Sequence, residues 1–481
     1  MQGTLSSSVH ATTNHNTSPE SKLPGDRRGI ALVLAAALAI RLVFFFVGMD
    51  KGLFYPDEYE YVELAKNLAE GNGFSYKGQV TSFRPPGFAF LMAFVFWLFD
   101  TTSPVPVRAM QLLFSLVTVW IIYLAGRDGW GERVGLVAAG IFAFYPSLIG
   151  FNQILLTEPS FIFCISLACW AMIRHLRQPN SWWAIGAGAA LGLGALIRDT
   201  LFYAGPVTVL FLIGCAMRNR RYRVWQTAAL AGGFLIAILP WIIRNSLLHG
   251  QLAMISTVGG VTFYMCNYEK APIIRSDSIF FERPISDSEG YYYETLLPEL
   301  NGLSELDKQS AAVRKGLAYM IANPGVTVLR MLARLVDFWG QERLVINQFL
   351  AKYYGAMPML AIFLIIAAVF FVYSVVVIGA VFGYFFTRLQ PFDVYGLLFI
   401  AYYTAMHLMV FAHPRYHMPL LPFLIIVAAR AWLARSEIFA QWRSWRFAGA
   451  SSITGAFVAM WIIGIFFFDA DKLEMLSRFL K

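Results

Sequence analysis

Several residues that could carry chemistry stand just beyond the ends of apolar runs. The segment Phe54-Tyr-Pro-Asp-Glu-Tyr-Glu-Tyr61 brings Asp57 and Glu58 out of the first such run. A carboxylate held at a membrane surface can act as a general base or hold a metal ion. Asp57 with Glu60 three residues on also fits a helix N-cap and capping box, so the same residue reads as a base or as a cap. Glu58 beside it is a supporting acid. Gly71 or Gly73 ends the predicted helix, whose apolar face is Tyr61, Leu64, Ala65 and Leu68. A third acid, Glu158, lies in Asn152-Gln-Ile-Leu-Leu-Thr-Glu-Pro159 at the mouth of another apolar run. An ionisable residue at that depth is costly and marks a functional position. A first-turn acid followed by proline also fits an ordinary helix start.

Cations occupy comparable places. Arg84 sits in Ser82-Phe-Arg-Pro-Pro-Gly87, where two prolines fix an extended entry into a short apolar segment. Arg198 and Asp199 form a short turn between two apolar runs, either pairing with each other or facing one pocket. Arg415 lies in His413-Pro-Arg-Tyr-His-Met-Pro419. A guanidinium matches phosphate oxygens in a two-pronged way, so Arg84, Arg198 and Arg415, with His413 and Tyr416, are candidate substrate-binding residues. The plainer reading of each arginine is a snorkelling side chain. The His-x-x-x-His spacing could bind zinc on a helix, but its prolines and the lack of an adjacent acid argue against that.

These residues need a scaffold, and the composition says what kind. Of the 481 residues, 58% are hydrophobic and 14% charged, against about a quarter charged in soluble chains. The apolar residues fall into runs of about 17–25, the length that crosses a bilayer. The net charge of +9 flanks those runs as the positive-inside pattern does, so a nucleic-acid partner is excluded. Four cysteines show no metal or disulfide spacing. Residues 1–28 are polar and read as a disordered cytoplasmic tail, not a secretory signal.

Arg27 and Arg28 put the start of the first span, Gly29–Met49, on the cytoplasmic side. Phe88–Phe99 has only about a dozen residues and is read as interfacial, not spanning. Later arginine clusters then alternate correctly with spans at Val107–Ala125, Val134–Leu148, Leu155–Ile173, Trp182–Ile197, Leu201–Met217, Trp225–Ile243, Met357–Phe386, Val394–Phe411, Met418–Leu433 and Phe447–Phe468. The expected fold is an all-α polytopic membrane protein of about eleven transmembrane helices. Residues 29–248 form an N-terminal membrane module containing the first outer loop, 50–106, with its interfacial helix. Residues 249–354 form a small, mainly helical outer region, and residues 355–481 the C-terminal helices. Within the outer region Ser304-Glu-Leu-Asp307 starts a helix that runs to about Ala322, and Asn323-Pro324 stops it. A second, amphipathic helix follows, with Val328, Leu329, Leu332, Leu335 and Val336 on one side. A substrate role is plausible for the loop Gly259–Glu282. No P-loop and no Gly-x-Gly-x-x-Gly after a strand is present, so no nucleotide donor is expected.

Taken in order, the Asp57-Glu58 pair, Arg84-Pro-Pro-Gly87, Leu156-Thr-Glu-Pro159 and Arg415-Tyr-His-Met-Pro-Leu-Leu-Pro422 resemble the membrane-embedded C-type glycosyltransferases. The branch is the bacterial one of protein O-mannosyltransferase-like, aminoarabinose-transferase-like and lipopolysaccharide galacturonosyltransferase-like enzymes. The resemblance covers most of residues 29–435. It implies a polyprenyl-phosphate sugar donor, a lipid, glycan or protein acceptor, and work among the lipids on the outer face of the cytoplasmic membrane. It matches Asp57 to the first-loop catalytic acid, Glu158 to the second acid, and Arg84 and Arg415 to cations of the donor phosphate. It leaves room for a divalent cation, Mg²⁺ or Mn²⁺, at Asp57 and Glu158. Where many relatives have Asp, this chain has Glu158. Inverting single displacement suits such a set. A multi-pass transporter and a polysaccharide polymerase or ligase are the alternatives; against transport, the polar candidates gather at one side and not at the midplane.

This topology is testable. In a variant without native cysteines, single cysteines at Asn72 and at Arg220 should react with a membrane-impermeant maleimide from opposite sides of sealed vesicles. Labelling of both from one side would overturn the assignment.

Overall fold

In lipid only a helix or a closed barrel satisfies its own backbone, and this chain uses helices. The computed structural model describes residues 26–275 and 296–468. The N-terminal half holds α1 (Asp26–Gly48), α2 (Pro56–Ala69), α3 (Gly87–Phe99), α4 (Pro104–Trp130), α5 (Glu132–Ala143), α6 (Pro146–Gly150), α7 (Glu158–Arg177), α8 (Ser181–Ile197), α9 (Ala204–Arg218) and α10 (Val224–His249). Residues 249–354 hold α11 (Val258–Met265), α12 (Glu305–Ala322), α13 (Pro324–Phe338) and α14 (Leu344–Leu350). The C-terminal part holds α15 (Met359–Phe386), α16 (Pro391–Met409), α17 (Leu421–Leu433), α18 (Arg435–Ala440) and α19 (Trp445–Ile463). Most of the expected tail, residues 1–25, and part of the Gly259–Glu282 loop lie outside the described residues.

Helices occupy all eleven expected span positions. Among the described residues eight are long and apolar enough to cross a membrane, or nine if α5 and the following Pro146–Gln153 segment, bent by 58°, form one span. The expected Val134–Leu148 span is therefore bent into two helices, the geometry of a broken span or a re-entrant loop. The α8 helix, at 17 residues, is shorter than a usual span, and α16 does not meet the same criterion. The α3 helix has 13 residues, about 20 Å at 1.5 Å per residue, which is short of a bilayer core. It packs against α2, with Phe88 edge-on to Tyr61 at 5.2 Å. Among the described residues one element departs from the all-α expectation: Ser75–Tyr76 pairs with Gln79–Val80. Lys77 (φ 49°) and Gly78 (φ 75°) make the left-handed turn between them.

The helices at the centre are α7 and α17, whose membrane-length windows are 78% and 83% buried, whereas those of α1, α15 and α19 are at most 22% buried and form the periphery. Helices α8 and α10 touch backbone to backbone. A Cβ at Gly188 would run into the Leu230 carbonyl, and one at Gly233 into the Ile185 carbonyl, the small-residue contact that membrane helices favour. Helices α11 and α12 and the segment before α12 share a small core of their own that includes Val261, Tyr264, Met265, Tyr268, Leu297, Leu300 and Ala312. As expected, Ser304 caps α12 and accepts from the Asp307 N–H. The α13 helix presents its leucines outward and its arginines inward. Val328, Leu329 and Leu332 are exposed, while Arg330 and Arg334 are buried. Arg334 donates to Asn267 Oδ1 and to the carbonyls of Cys266, Leu408 and Met409.

Two buried arginines of the N-terminal module are structural. Arg41 of α1 donates to Ser115 Oγ (2.9 Å) and the Ala143 carbonyl (2.8 Å), which fastens α1 to α4 and α5. Arg108 of α4 donates to the carbonyls of Gly48, Met49, Gly52 and Gln153 and to Tyr353 Oη, at 2.8–3.1 Å. It thereby joins the end of α1, the start of the first loop and the turn before α7. Replacing Arg108 with Met would take the donor from the Met49 and Gln153 carbonyls, while the Gly48 and Gly52 carbonyls keep the Lys51 N–H and Tyr353 Oη. Detergent-solubilised Arg108→Met should lose on the order of 3–5 kcal/mol of stability, seen as a lowered thermal midpoint; an unchanged midpoint would contradict this role.

Candidate active site

The first loop enters α2 through Tyr55-Pro56. Proline suits the first helical position, so Tyr55, extended at φ −103° and ψ 143°, is the N-cap. The expected capping pair, Asp57 with Glu60, is therefore displaced by two residues. Glu58 takes the third position and accepts from the N–H groups of Phe54 and Tyr55, both at 2.7 Å. Its other oxygen accepts from the Leu155 N–H at 2.8 Å. Glu58 was expected to be a supporting catalytic acid. It is buried and fastens the first loop to the turn before α7. Burial pushes its carboxyl above the usual range, against the pull of those three N–H groups.

With Glu58 capping the helix, Asp57 faces a cavity of about 560 Å³. Arg84 reaches Asp57 Oδ1 with Nη2 at 3.1 Å, and Arg415 reaches Oδ2 with Nη2 at 3.3 Å. Arg84 also pairs with Glu60, its Nε donating to Oε2 at 2.9 Å. Burial alone would lower the Arg84 pKa, but the Glu60 and Asp57 carboxylates outweigh it and hold the guanidinium charged. Arg84 is placed by its own prolines and by Gly87, where an added Cβ would lie 2.9 Å from the Leu196 carbonyl.

Glu158 opens α7 and is fully buried. Gln111 of α4 donates to the carbonyls of Ile154 and Leu156 and fixes the turn before it. Arg198, at the end of α8, donates to Thr157 Oγ1 and Glu158 Oε1, both at 2.6 Å. Arg415 Nε lies 3.9 Å from the same Glu158 oxygen. The Arg415 guanidinium thus stands between Asp57 and Glu158. Tyr416 lies under both cations, 5.2 Å from Arg198 and 4.9 Å from Arg415, and accepts from Arg415 Nη2 at 2.9 Å. His407 stacks on the Tyr416 ring at 4.8 Å. His413 lines the cavity and accepts the Arg415 N–H on Nδ1 at 3.1 Å.

The structure therefore brings together Asp57, Arg84, Arg198, Arg415, His413 and Tyr416 around one cavity, with Glu158 directly behind its cations. The two histidines of His-x-x-x-His diverge. His417 is buried elsewhere, against the Phe338 carbonyl and Glu342. Arg198 and Asp199 do not pair with each other. A divalent cation does not fit between Asp57 and Glu158, because the Arg415 guanidinium already supplies the positive charge there. Among the described residues no group of three metal-ligating side chains occurs.

Sequence reasoning missed Glu60 as the partner of Arg84, and missed most of the cavity's second wall. That wall is the segment from Met254 to Phe263, with Val313 and Leu317 of α12. These small and apolar residues give no chemical signal. The wall is latched to the first loop through Glu305. Its carboxylate accepts from Thr81 Oγ1 (2.5 Å), Ser82 Oγ (2.8 Å), the Ser82 N–H (3.0 Å) and Thr257 Oγ1 (3.0 Å). His249 meets both Ser82 Oγ (2.6 Å) and Glu305 (3.7 Å) through Nε2, so the trio is not arranged as a hydrolase relay.

Residues 83–243, about a third of the chain, match the family described as dolichyl-phosphate-mannose-protein mannosyltransferase. No curated protein matches the sequence. Among solved structures, the archaeal oligosaccharyltransferase AglB from Archaeoglobus fulgidus, in complex with an inhibitory peptide and a dolichol-phosphate, is similar in fold at a TM-score of 0.51 and 14% identity. The match covers 91% of this chain and 55% of that one, so this chain spans about half the length of that protein. ArnT from Cupriavidus metallidurans, bound to undecaprenyl phosphate, matches at 0.40 and 14% identity over 84% and 78% of the two chains. The Saccharomyces cerevisiae protein O-mannosyltransferase complex, bound to the sugar donor, matches at 0.36 and 17% over 52% and 38%. The resemblance to membrane-embedded C-type glycosyltransferases is thus present in the family match and in the fold.

The Glu305 latch has a pH consequence. Burial pushes its carboxyl up, but the hydroxyls of Thr81, Ser82 and Thr257 and the Ser82 N–H outweigh that and hold it below 4.5. A depressed carboxyl stabilises the fold fully above its ordinary value and loses that contribution as pH falls through the folded value. Hydrogen exchange of α12, corrected for intrinsic rates, should therefore accelerate as pH drops below about 4.5. Glu305→Gln should exchange fast at every pH; an identical pH profile in both proteins would refute the latch.

Proposed function

We propose that this chain is a glycosyltransferase that moves a sugar from a polyprenyl-phosphate donor to an acceptor hydroxyl on the outer face of the cytoplasmic membrane. The observation that carries the reading is the cluster itself: three guanidiniums interleaved with Asp57, which lines the cavity, and Glu158 behind them, among membrane-length helices. The family match over residues 83–243, which contains Arg84, Glu158 and Arg198, supports it.

The chemistry follows from the donor. A sugar leaving a phosphodiester releases a phosphate anion, which needs cationic stabilisation more than a general acid. Arg84, Arg198 and Arg415 supply it. Arg198 Nη1 is buried with no hydrogen-bond partner, a donor left over for a phosphate oxygen. The acceptor hydroxyl must lose its proton on the opposite face of the sugar, and Asp57 is the base. In the resting cluster Asp57 is neutralised by Arg84 and Arg415. A bound phosphate draws both guanidiniums towards itself and returns the carboxylate to basic service. Single displacement on these terms inverts the anomeric carbon. Glu158 is a positioning residue that holds Arg198 and Arg415 from behind. Because Arg84, Arg198 and Arg415 together supply the positive charge for the leaving phosphate, the proposed step is written without a divalent ion.

Purified protein incubated with a panel of polyprenyl-phosphate monosaccharides should release lipid phosphate. The rate should be the same with Mg²⁺, Mn²⁺ or a chelator. Asp57→Asn should lower turnover by a factor on the order of 10³ or more while its elution and thermal midpoint stay near the wild type. Retained turnover in Asp57→Asn, or no release from any donor, would overturn the reading.

A further inference from the structure

Arg198 and Asp199 are adjacent in the chain, but their side chains engage opposite sides of the site. Arg198 is extended at φ −140° and ψ 120°, and Asp199 opens the short helical segment Asp199–Tyr203. Arg198 engages Thr157 and Glu158. Asp199 meets the second wall, where Ser256 Oγ donates to its Oδ2 at 2.6 Å. Both residues line the same cavity.

The acids of this region differ in one respect. Asp57, Glu60 and Glu158 each meet a guanidinium. Asp199 meets a neutral hydroxyl, and among the described residues no Lys, Arg or His lies within ion-pair distance of it. One hydrogen bond leaves most of a carboxylate's acceptor capacity unused. The approach is also clear. An added Cβ at Gly259 would find Asp199 Oδ2 at 3.6 Å and nothing else within 4 Å, so no side chain from that position stands between wall and carboxylate. A carboxylate with spare lone pairs and no counter-cation, beside a triad of arginines, suits a ligand with hydroxyl donors at one end and an anion at the other.

Resting on the donor assignment above, we propose that Asp199 reads the transferred sugar. It accepts hydrogen bonds from hydroxyls of the donor's monosaccharide while the guanidiniums hold the phosphate. The substrate class is then a polyprenyl-phosphate carrying a neutral sugar. A uronic acid would bring a second negative charge towards an uncompensated carboxylate and is disfavoured.

Equilibrium binding in detergent, with undecaprenyl phosphate, undecaprenyl-phosphate neutral hexoses and pentoses, and an undecaprenyl-phosphate hexuronic acid, tests this. Wild type should bind the best neutral donor at least about tenfold more tightly than the bare lipid phosphate, and the hexuronosyl donor no more tightly than the bare lipid. In Asp199→Asn the neutral-sugar advantage should fall by about tenfold, with affinity for undecaprenyl phosphate unchanged; that unchanged affinity also reports correct folding. If Asp199→Asn does not fold, the wild-type comparison of neutral and hexuronosyl donors decides alone. Bare-lipid binding with no gain from any neutral sugar, an equally tight hexuronosyl donor, or an undiminished advantage in Asp199→Asn would overturn the role of Asp199 and leave the donor class standing. No binding of any lipid phosphate would overturn the proposed function and this inference with it.

Discussion

Six charges are withdrawn from bulk water together at the site, and the arrangement of the surrounding chain answers to that. Asp57, Glu60 and Arg84 come from the first loop, Glu158 and Arg198 from the ends of α7 and α8, and Arg415 from the approach to α17. A buried charge is tolerated only when paired, and removing one partner strands the other at a cost of several kcal/mol. Arg415 reaches both Asp57 and Glu158, so the two halves of the cluster are one electrostatic unit. The unit is complete only when segments some 360 residues apart in sequence have met.

The pairing would be useless if the carboxylates could drift, and much of the nearby polar chemistry prevents that. Glu58 is occupied by three backbone N–H groups and joins the first loop to the turn before α7. Arg108 and Gln111, one helical turn apart on α4, hold that turn by its carbonyls. Asp57 and Glu158 are thereby carried on helix starts whose positions are fixed from behind, the arrangement that keeps a reactive group within a fraction of an ångström of its working geometry.

How much of this was readable beforehand depended on whether a residue's type betrayed its task. Asp57, Arg84, Glu158, Arg198 and Arg415 stood out because each is an ionisable residue next to an apolar run, where it is expensive. Reading Phe88–Phe99 as too short to cross put them on one side. The α12 cap at Ser304 was legible for a similar reason, since Ser and Asp at that spacing have few other uses. The cap of α2 was misread because Asp57 and Glu60 match the pattern as well as Glu58 does, and only the helix register set by Pro56 separates them. Glu60 was hidden by the same ambiguity. The wall from Met254 to Phe263 was legible only from Gly259 on, inside the loop read as a substrate loop. The rest matters by where the chain passes, and its small apolar and hydroxyl residues are common to every span.

The resting state of the cluster bears on how a base can work among arginines. A carboxylate flanked by two guanidiniums is a poor proton acceptor, which would count against Asp57 if the pairing were permanent. On the proposed reading it is not. Arginine binds phosphate at least as well as carboxylate and in the same two-pronged geometry, so an arriving phosphodiester competes for Arg84 and Arg415 with the acid they now neutralise. Each guanidinium that turns towards the phosphate raises the basicity of Asp57. The same event that secures the leaving group then arms the base, and an empty site holds no competent nucleophile-activating group. Glu158 remains with Arg198 throughout, bonded to it at 2.6 Å against 3.9 Å for Arg415, and so keeps the cluster from collapsing while Arg415 changes its allegiance.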